Sequence, residues 1–184
     1  VTRTRKITAD DILDAAERVV VQHGAAGLSI DAVAQEAGVS KSRVVYDHKT
    51  KSALLAALVD RRIQRDMEAV KKAVEDSKDT PHPELFGRIA FAEPVPDEAE
   101  MAVAMAVCAS MSSDESLQQQ MRGWVARDLQ AMASGARPKA ALIAYLALTG
   151  LFCTELFGFH QWTGGDRREI LDGIRATYAT FPET

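Results

Sequence analysis

The chain has 184 residues, 47% of them apolar, with six Pro and eleven Gly. That is enough apolar side chain for a sizeable core and too few breakers for a disordered or collagen-like chain. A net charge of -4 argues against a general coat for nucleic acid. Cys108 and Cys153, each in an apolar run, suggest neither a disulfide framework nor a zinc site.

Charge is unevenly spread. Residues 1–51 carry eight Lys/Arg against seven Asp/Glu, and the remainder fourteen against nineteen. Arg3, Arg5 and Lys6 cluster at the start, and Lys41, Arg43, Lys49 and Lys51 form a second group. Two cysteines with no disulfide pattern fit a reducing cytoplasm, and the basic start leads into an amphipathic helix and not into an apolar signal segment.

Thr8 to His23 reads as the first helix. Thr8 suits its N-cap, Asp11 sits at the third helical position, and Ile7 precedes the cap as a staple against Ile12. Ile12, Ala16, Val19, Val20 and His23 follow at helical spacing, and Gly24 and Gly27 end the element. Ser29 caps a second helix with Ile30, Val33, Ala34 and Ala37 on one face, and Asp31 suits its positive end. Gly38 stands where a left-handed backbone is needed. Ser40 then caps a short helix over Lys41 to Asp47, with Val44, and Val45 beside it, turned inward. Two short helices joined by a three-residue turn with a Gly make a helix-turn-helix, whose second helix is sized for the major groove of DNA.

Thr50 caps a long helix over 51–77 carrying Leu54, Leu58, Met67, Val70 and Val74. A linker-like stretch, Asp76 to Pro83, follows. Further helices are expected over 84–92, 98–112, 115–133, 138–161 and 167–181, separated by breakers. No strand-like alternation persists, so the expectation is an all-α chain of about nine helices. Residues 140–159 are nearly uncharged and long enough to span a bilayer. Thr154 and Glu155 interrupt the run and no second one exists. It is read as a core or interface helix, with no membrane partner.

The third helix carries the chemistry. Lys41, Ser42, Arg43 and Tyr46 occupy its outer face, where short or flexible polar side chains reach base edges and phosphates. Arg43 is the strongest candidate for base readout, because a guanidinium bonds guanine bidentately. Ser29, Ser40, Lys49 and Lys51 complete the expected DNA contacts, the helix starts offering backbone amides to phosphate. Arg3 and Arg5 read equally as a minor-groove arm or as a solvated tail.

A first helix ending in His-Gly, then S-I-x-x-V-A-x-x-A-G-V-S-K over residues 29–41, then a Tyr-containing short helix and a Leu-rich long one, resembles the TetR family of transcriptional regulators. The resemblance covers residues 7–58. It implies a helix-turn-helix domain over 1–50, a connecting helix over 51–77, and an effector-binding and dimerisation domain over 78–184. The chain departs from the family at Tyr46-Asp47-His48-Lys49. His48 replaces a customary Phe that packs beneath the recognition helix. Asp47 places an acid near the phosphates, to be balanced by Lys49 or Lys51. Ser42 and Arg43 replace small residues.

In the second region, Phe86, Met101, Met105, Cys108, Met121, Trp124, Phe152, Glu155 and Phe159 are the candidates for an apolar or aromatic effector, because Met is adaptable and recurs at promiscuous surfaces. Ordinary core packing is the alternative for each. Glu155 reads as a ligand contact, a partner for a cation across a dimer interface, or a solvated acid. The resemblance implies that the last two helices pair with their copies in a homodimer, through Tyr145, Leu148, Phe157, Ile170 and Ile174. Four scattered His give no metal spacing, and no catalytic constellation or cofactor loop is present. The sequence therefore points to a regulator, read as a repressor released from a palindromic double-stranded operator by a small molecule. The alternative is a small-molecule binder whose helix-turn-helix has lost DNA affinity, and Asp47–His48 is its support.

Overall fold

A computed structural model describes residues 7–111 and 114–183. Among them are nine α-helices and no strand: α1 Ala9–Gly27, α2 Ile30–Ala37, α3 Lys41–Asp47, α4 Lys51–Asp76, α5 Pro83–Phe91, α6 Glu98–Met111, α7 Glu115–Met132, α8 Pro138–Leu156 and α9 Gly164–Thr180. The all-α expectation holds. Packing divides the chain into two compact units. One holds Val1–Ile63 with Asp97–Leu117, and the other Gln64–Pro96 with Gln118–Thr184. The change of unit falls inside α4, and α6 joins the first unit. The sequence boundaries at 50 and 77 follow function and differ from this division.

In the first unit, local chemistry sets each helix start. The Thr8 hydroxyl accepts from Asp11 N at 3.2 Å and Thr8 N donates to the Asp11 carboxylate at 2.8 Å, a reciprocal cap. Gly24, at φ 66, kinks α1 near its end. Ile12, Ala16, Val19 and Val20 of α1 are buried with Val33, Val44, Leu54 and Leu58. α6 lies along α1 and buries Val103, Ala106 and Val107. Arg61 ties α4 to α1, donating to Asp14 at 2.6 Å, to Glu17 at 2.8 Å and to the Asp10 carbonyl.

The second unit is built on α5, α8 and α9. Leu85, Ile89, Ala140, Ala141, Ala144, Leu148, Leu151, Leu171, Ile174 and Tyr178 form its core. α8 is long and apolar enough to cross a membrane, yet one side of it is committed to this core. α5 starts one residue before the expected Glu84. His82, 2% exposed, caps it by accepting from Leu85 N at 3.2 Å through Nδ1. α8 stops at Leu156 and not at 161, closed by Gly158 N on the Glu155 carbonyl and Phe159 N on the Thr154 carbonyl.

Arg167 is the most heavily bonded buried group. Its Nε donates to Glu155 at 2.7 Å, and its terminal nitrogens reach the carbonyls of Ala92, Glu93 and Pro94. It thus neutralises Glu155 and satisfies carbonyls left free where α5 ends.

Candidate nucleic-acid interface

The site is assembled by two caps and one turn. The Ser29 hydroxyl accepts from Ala32 N at 3.1 Å to open α2. Gly38, at φ 65 and ψ 34, takes the left-handed conformation and sends its N–H back to α2 carbonyls. A side chain there would meet no atom within 4 Å, so backbone conformation, not space, requires the glycine. Ser40 then accepts from Arg43 N at 3.3 Å to open α3. Val44, fully buried, is the inner anchor of α3. Val45 is half out, at 38% exposure, so the inward face is narrower than expected.

The outer face of α3 presents Lys41, Ser42 and Tyr46, with Lys49 just beyond the helix. Tyr46 is 84% exposed, a costly position for an aromatic ring left largely in solvent. Lys41 pairs with Asp31 at 2.9 Å, but both side chains are well exposed, so the pair is weak and exchangeable. The Lys51 ammonium donates to the Ala25 carbonyl at 2.8 Å and so braces α4 against the end of α1.

Arg43 differs from these. Nη1 donates to Asp47 at 2.5 Å and Nη2 to the Ile7 carbonyl at 3.3 Å. Its guanidinium lies 6.0 Å from the Tyr46 ring centroid. The acid at position 47 is therefore balanced by Arg43 from within the helix. The sequence points to Lys49 or Lys51 for this balance; the structure gives it to Arg43, four residues before Asp47 on the same helix, and adds an Ile7 contact 36 residues away. His48 follows at the C-cap, its N–H donating to the Val44 carbonyl at 2.8 Å. Its Nε2 is buried without a hydrogen-bond partner. Burial holds its pKa below the usual 6.5, against the opposing pull of Asp47. Arg3 and Arg5 lie outside the described residues.

The expected effector residues fall in both units. Met101, Met105 and Cys108 belong to the first, with Met105 50% exposed. In the second, Phe86 meets Tyr178 edge-on at 5.7 Å and Phe152 lies 6.5 Å from Phe91. Met121 and Trp124 are half-buried on α7, and Phe159 is 75% exposed. Glu155 is paired with Arg167 inside its own unit, a fourth arrangement beside the three the sequence left open.

Of the expected dimer residues, Leu148 and Ile174 are buried in the chain's own core, and Ile170 and Phe157 are half-buried. Tyr145 turns its hydroxyl to Asp128 at 2.9 Å. Burial, reinforced by the Asp128 charge, pushes that hydroxyl up to about 12. The large apolar side chains still open on α8 are Leu142, Ile143 and Leu146. Among the described residues, no group of three or more His, Cys, Asp or Glu is arranged to hold a metal.

Comparison with known proteins agrees with this geometry. The model for bacterial regulatory proteins of the tetR family matches residues 12–58. A tetracyclin repressor-like C-terminal domain matches residues 88–179. Among solved structures, a candidate transcriptional regulator from Pseudomonas aeruginosa PAO1 is 18% identical with a TM-score of 0.73, the match covering 97% of this chain and 96% of that one. A TetR-family member from Streptomyces coelicolor A3 is 23% identical with a TM-score of 0.69, covering 90% and 96%. SmeT in complex with triclosan is 25% identical with a TM-score of 0.65, covering 91% and 89%. None of the curated proteins matches the sequence.

Proposed function

The chain belongs to the TetR family of ligand-responsive, DNA-binding transcription regulators, and from that premise we propose that it is a cytoplasmic repressor. It binds a palindromic operator as a homodimer and leaves it when a small, largely apolar effector binds. The observation that carries this reading is the outer face of α3. A capped helix held by Val44 presents Lys41, Ser42 and an 84% exposed Tyr46, and these residue types suit phosphate and base-edge contact. The amides at the starts of α2 and α3, behind Ser29 and Ser40, suit phosphate. Lys49 adds positive charge, and Arg3 and Arg5 are assigned to the same surface on charge alone.

Two α3 helices in one dimer would lie in successive major grooves about 34–36 Å apart. An effector acts only if it binds a dimer of different spacing more tightly than the operator-competent one. The effector site is assigned to the second unit, around Phe86, Met121, Trp124 and Phe152. The triclosan held by SmeT supports a small-molecule effector. The α4 helix is the mechanical link between reading and response.

The test is selection of duplexes from a random library by the purified protein. The expected result is a palindrome whose half-sites lie one helical turn apart. Lys41→Ala should weaken binding uniformly. Tyr46→Ala should cost about 1–3 kcal/mol if the phenol meets a base. Recovery of no sequence, or a selected palindrome indifferent to both substitutions, would refute the reading.

A further inference from the structure

The Arg43–Asp47 pair is placed where helix stability does not explain it. Cations favour the C-terminal end of a helix and anions the N-terminal end. An i,i+4 pair gains most when the acid precedes the base. Here the order is reversed on both counts, with Arg43 in the first turn of α3 and Asp47 its last residue. Yet the bond is short, at 2.5 Å, and both groups are largely withdrawn, with side chains 32% and 15% exposed. Arg43 is the one guanidinium of α3, the helix assigned to the major groove. The two terminal nitrogens used on Asp47 and the Ile7 carbonyl are those a phosphate or a guanine would need.

We infer that Asp47 masks Arg43, withholding its guanidinium from DNA phosphates and so lowering affinity for non-operator DNA. Asp47 is then a specificity-determining residue that acts through Arg43, and Arg43 in the free protein is an occupied donor. This rests on the DNA-binding reading above. The chemistry is direct. An arginine free to meet any phosphate adds a counterion-releasing contact at every site on a duplex, which raises non-specific binding and not discrimination. An arginine already bonded to a carboxylate and a carbonyl must give up both to do so. Lys41 plays no such part, because its pair with Asp31 is exposed on both sides. Lys51 is held on the Ala25 carbonyl, from a different helix.

The experiment uses the full chain and a duplex of random sequence, so no operator need be known. Binding is measured across a salt series for the wild type, Asp47→Ala, Arg43→Ala and the double variant, with helicity and thermal unfolding recorded for each. Asp47→Ala should steepen the dependence of log affinity on log salt by about 0.9 for each protomer in contact. It should tighten non-specific binding at low salt. Arg43→Ala alone should leave the slope near the wild-type value, and Asp47→Ala added to Arg43→Ala should not steepen it. Asp47→Asn, which keeps the shape and removes the charge, should move in the same direction as Asp47→Ala, and it serves should the alanine variant unfold.

An equal steepening with and without Arg43 would show that Asp47 only repels phosphate, and would overturn the inference. So would an unchanged slope in folded Asp47→Ala and Asp47→Asn. A wild-type protein without salt-dependent duplex binding would overturn the DNA reading itself, which separates the two failures.

Discussion

The His48 imidazole, at the C-cap of α3, buries Nε2 with no hydrogen-bond partner, at the position where the family customarily places Phe. Its pKa lies below 6.5 because burial disfavours the charged ring more than Asp47 favours it. The unfolded chain therefore takes up a proton near 6.5 while the folded chain still resists it. As pH falls from that value toward the folded pKa, the unfolded state gains relative to the folded one. Above 6.5 the ring is neutral in both states and the effect vanishes. His48→Phe should remove this part of the pH dependence, so that the stability difference between variant and wild type grows as pH falls from 7.5 to 5, read by urea unfolding at each pH. A difference that stays flat would mean that the ring titrates freely. Single residues were the least legible scale in the sequence. Arg43 and Asp47 stand four apart, yet their order runs against the helix rule, and the sequence points to Lys49 or Lys51 instead. Arg167 was no more legible: its partners Ala92, Glu93 and Pro94 lie more than seventy residues away, and nothing local marks an arginine for burial.

Helices were legible because caps and breakers are local. Thr8, Ser29 and Ser40 each accept the backbone N–H expected of a cap, and Gly38 takes the left-handed turn between α2 and α3. Ends set by distant packing were not legible. α5 is capped by a buried histidine that also faces Tyr178 and the Met132 carbonyl. One close approach between elements yields a prediction. A Cβ on Gly87 would stand 2.6 Å from the Val74 backbone, so α5 cannot keep its place against α4 with any larger residue. Gly87→Ala gains about 1 kcal/mol of helix propensity but must displace backbone, and overpacking of this kind costs about 1–3 kcal/mol. A net loss of stability is expected on thermal unfolding. Gly123→Ala is the control, since nothing lies within 4 Å of that position in α7, and it should be neutral or stabilising. Equal effects at the two positions would mean that α5 yields freely.

At the scale of the molecule, the sequence made the helix-turn-helix recognisable because its residues are contiguous. It did not show that α6 joins the first unit, since that packing links segments some eighty residues apart. Nor did it separate the two apolar faces of α8, because a helix apolar all round carries no stripe to say which side meets its own chain. The structure makes that separation. Ala140, Ala144, Leu148 and Leu151 are buried inside the unit, whereas Leu142, Ile143 and Leu146 are 37%, 38% and 51% exposed. Burying the area they still expose is worth about 0.5–1.5 kcal/mol each, roughly half of what a fully exposed side chain would gain, and a two-fold partner would cover them. If the proposed dimer forms there, Leu146→Glu should give a monomer by light scattering with helicity retained, because the side chain it replaces is not part of the chain's own core. Operator affinity should fall sharply with it, since one protomer reads only a half-site. Leu148→Ala should behave differently, lowering the stability of each chain by about 2–5 kcal/mol before it touches assembly. A Leu146→Glu protein that remains dimeric would place the interface elsewhere on the molecule, and a Leu148→Ala protein that dissociates without losing stability would return that residue to the interface the sequence first suggested.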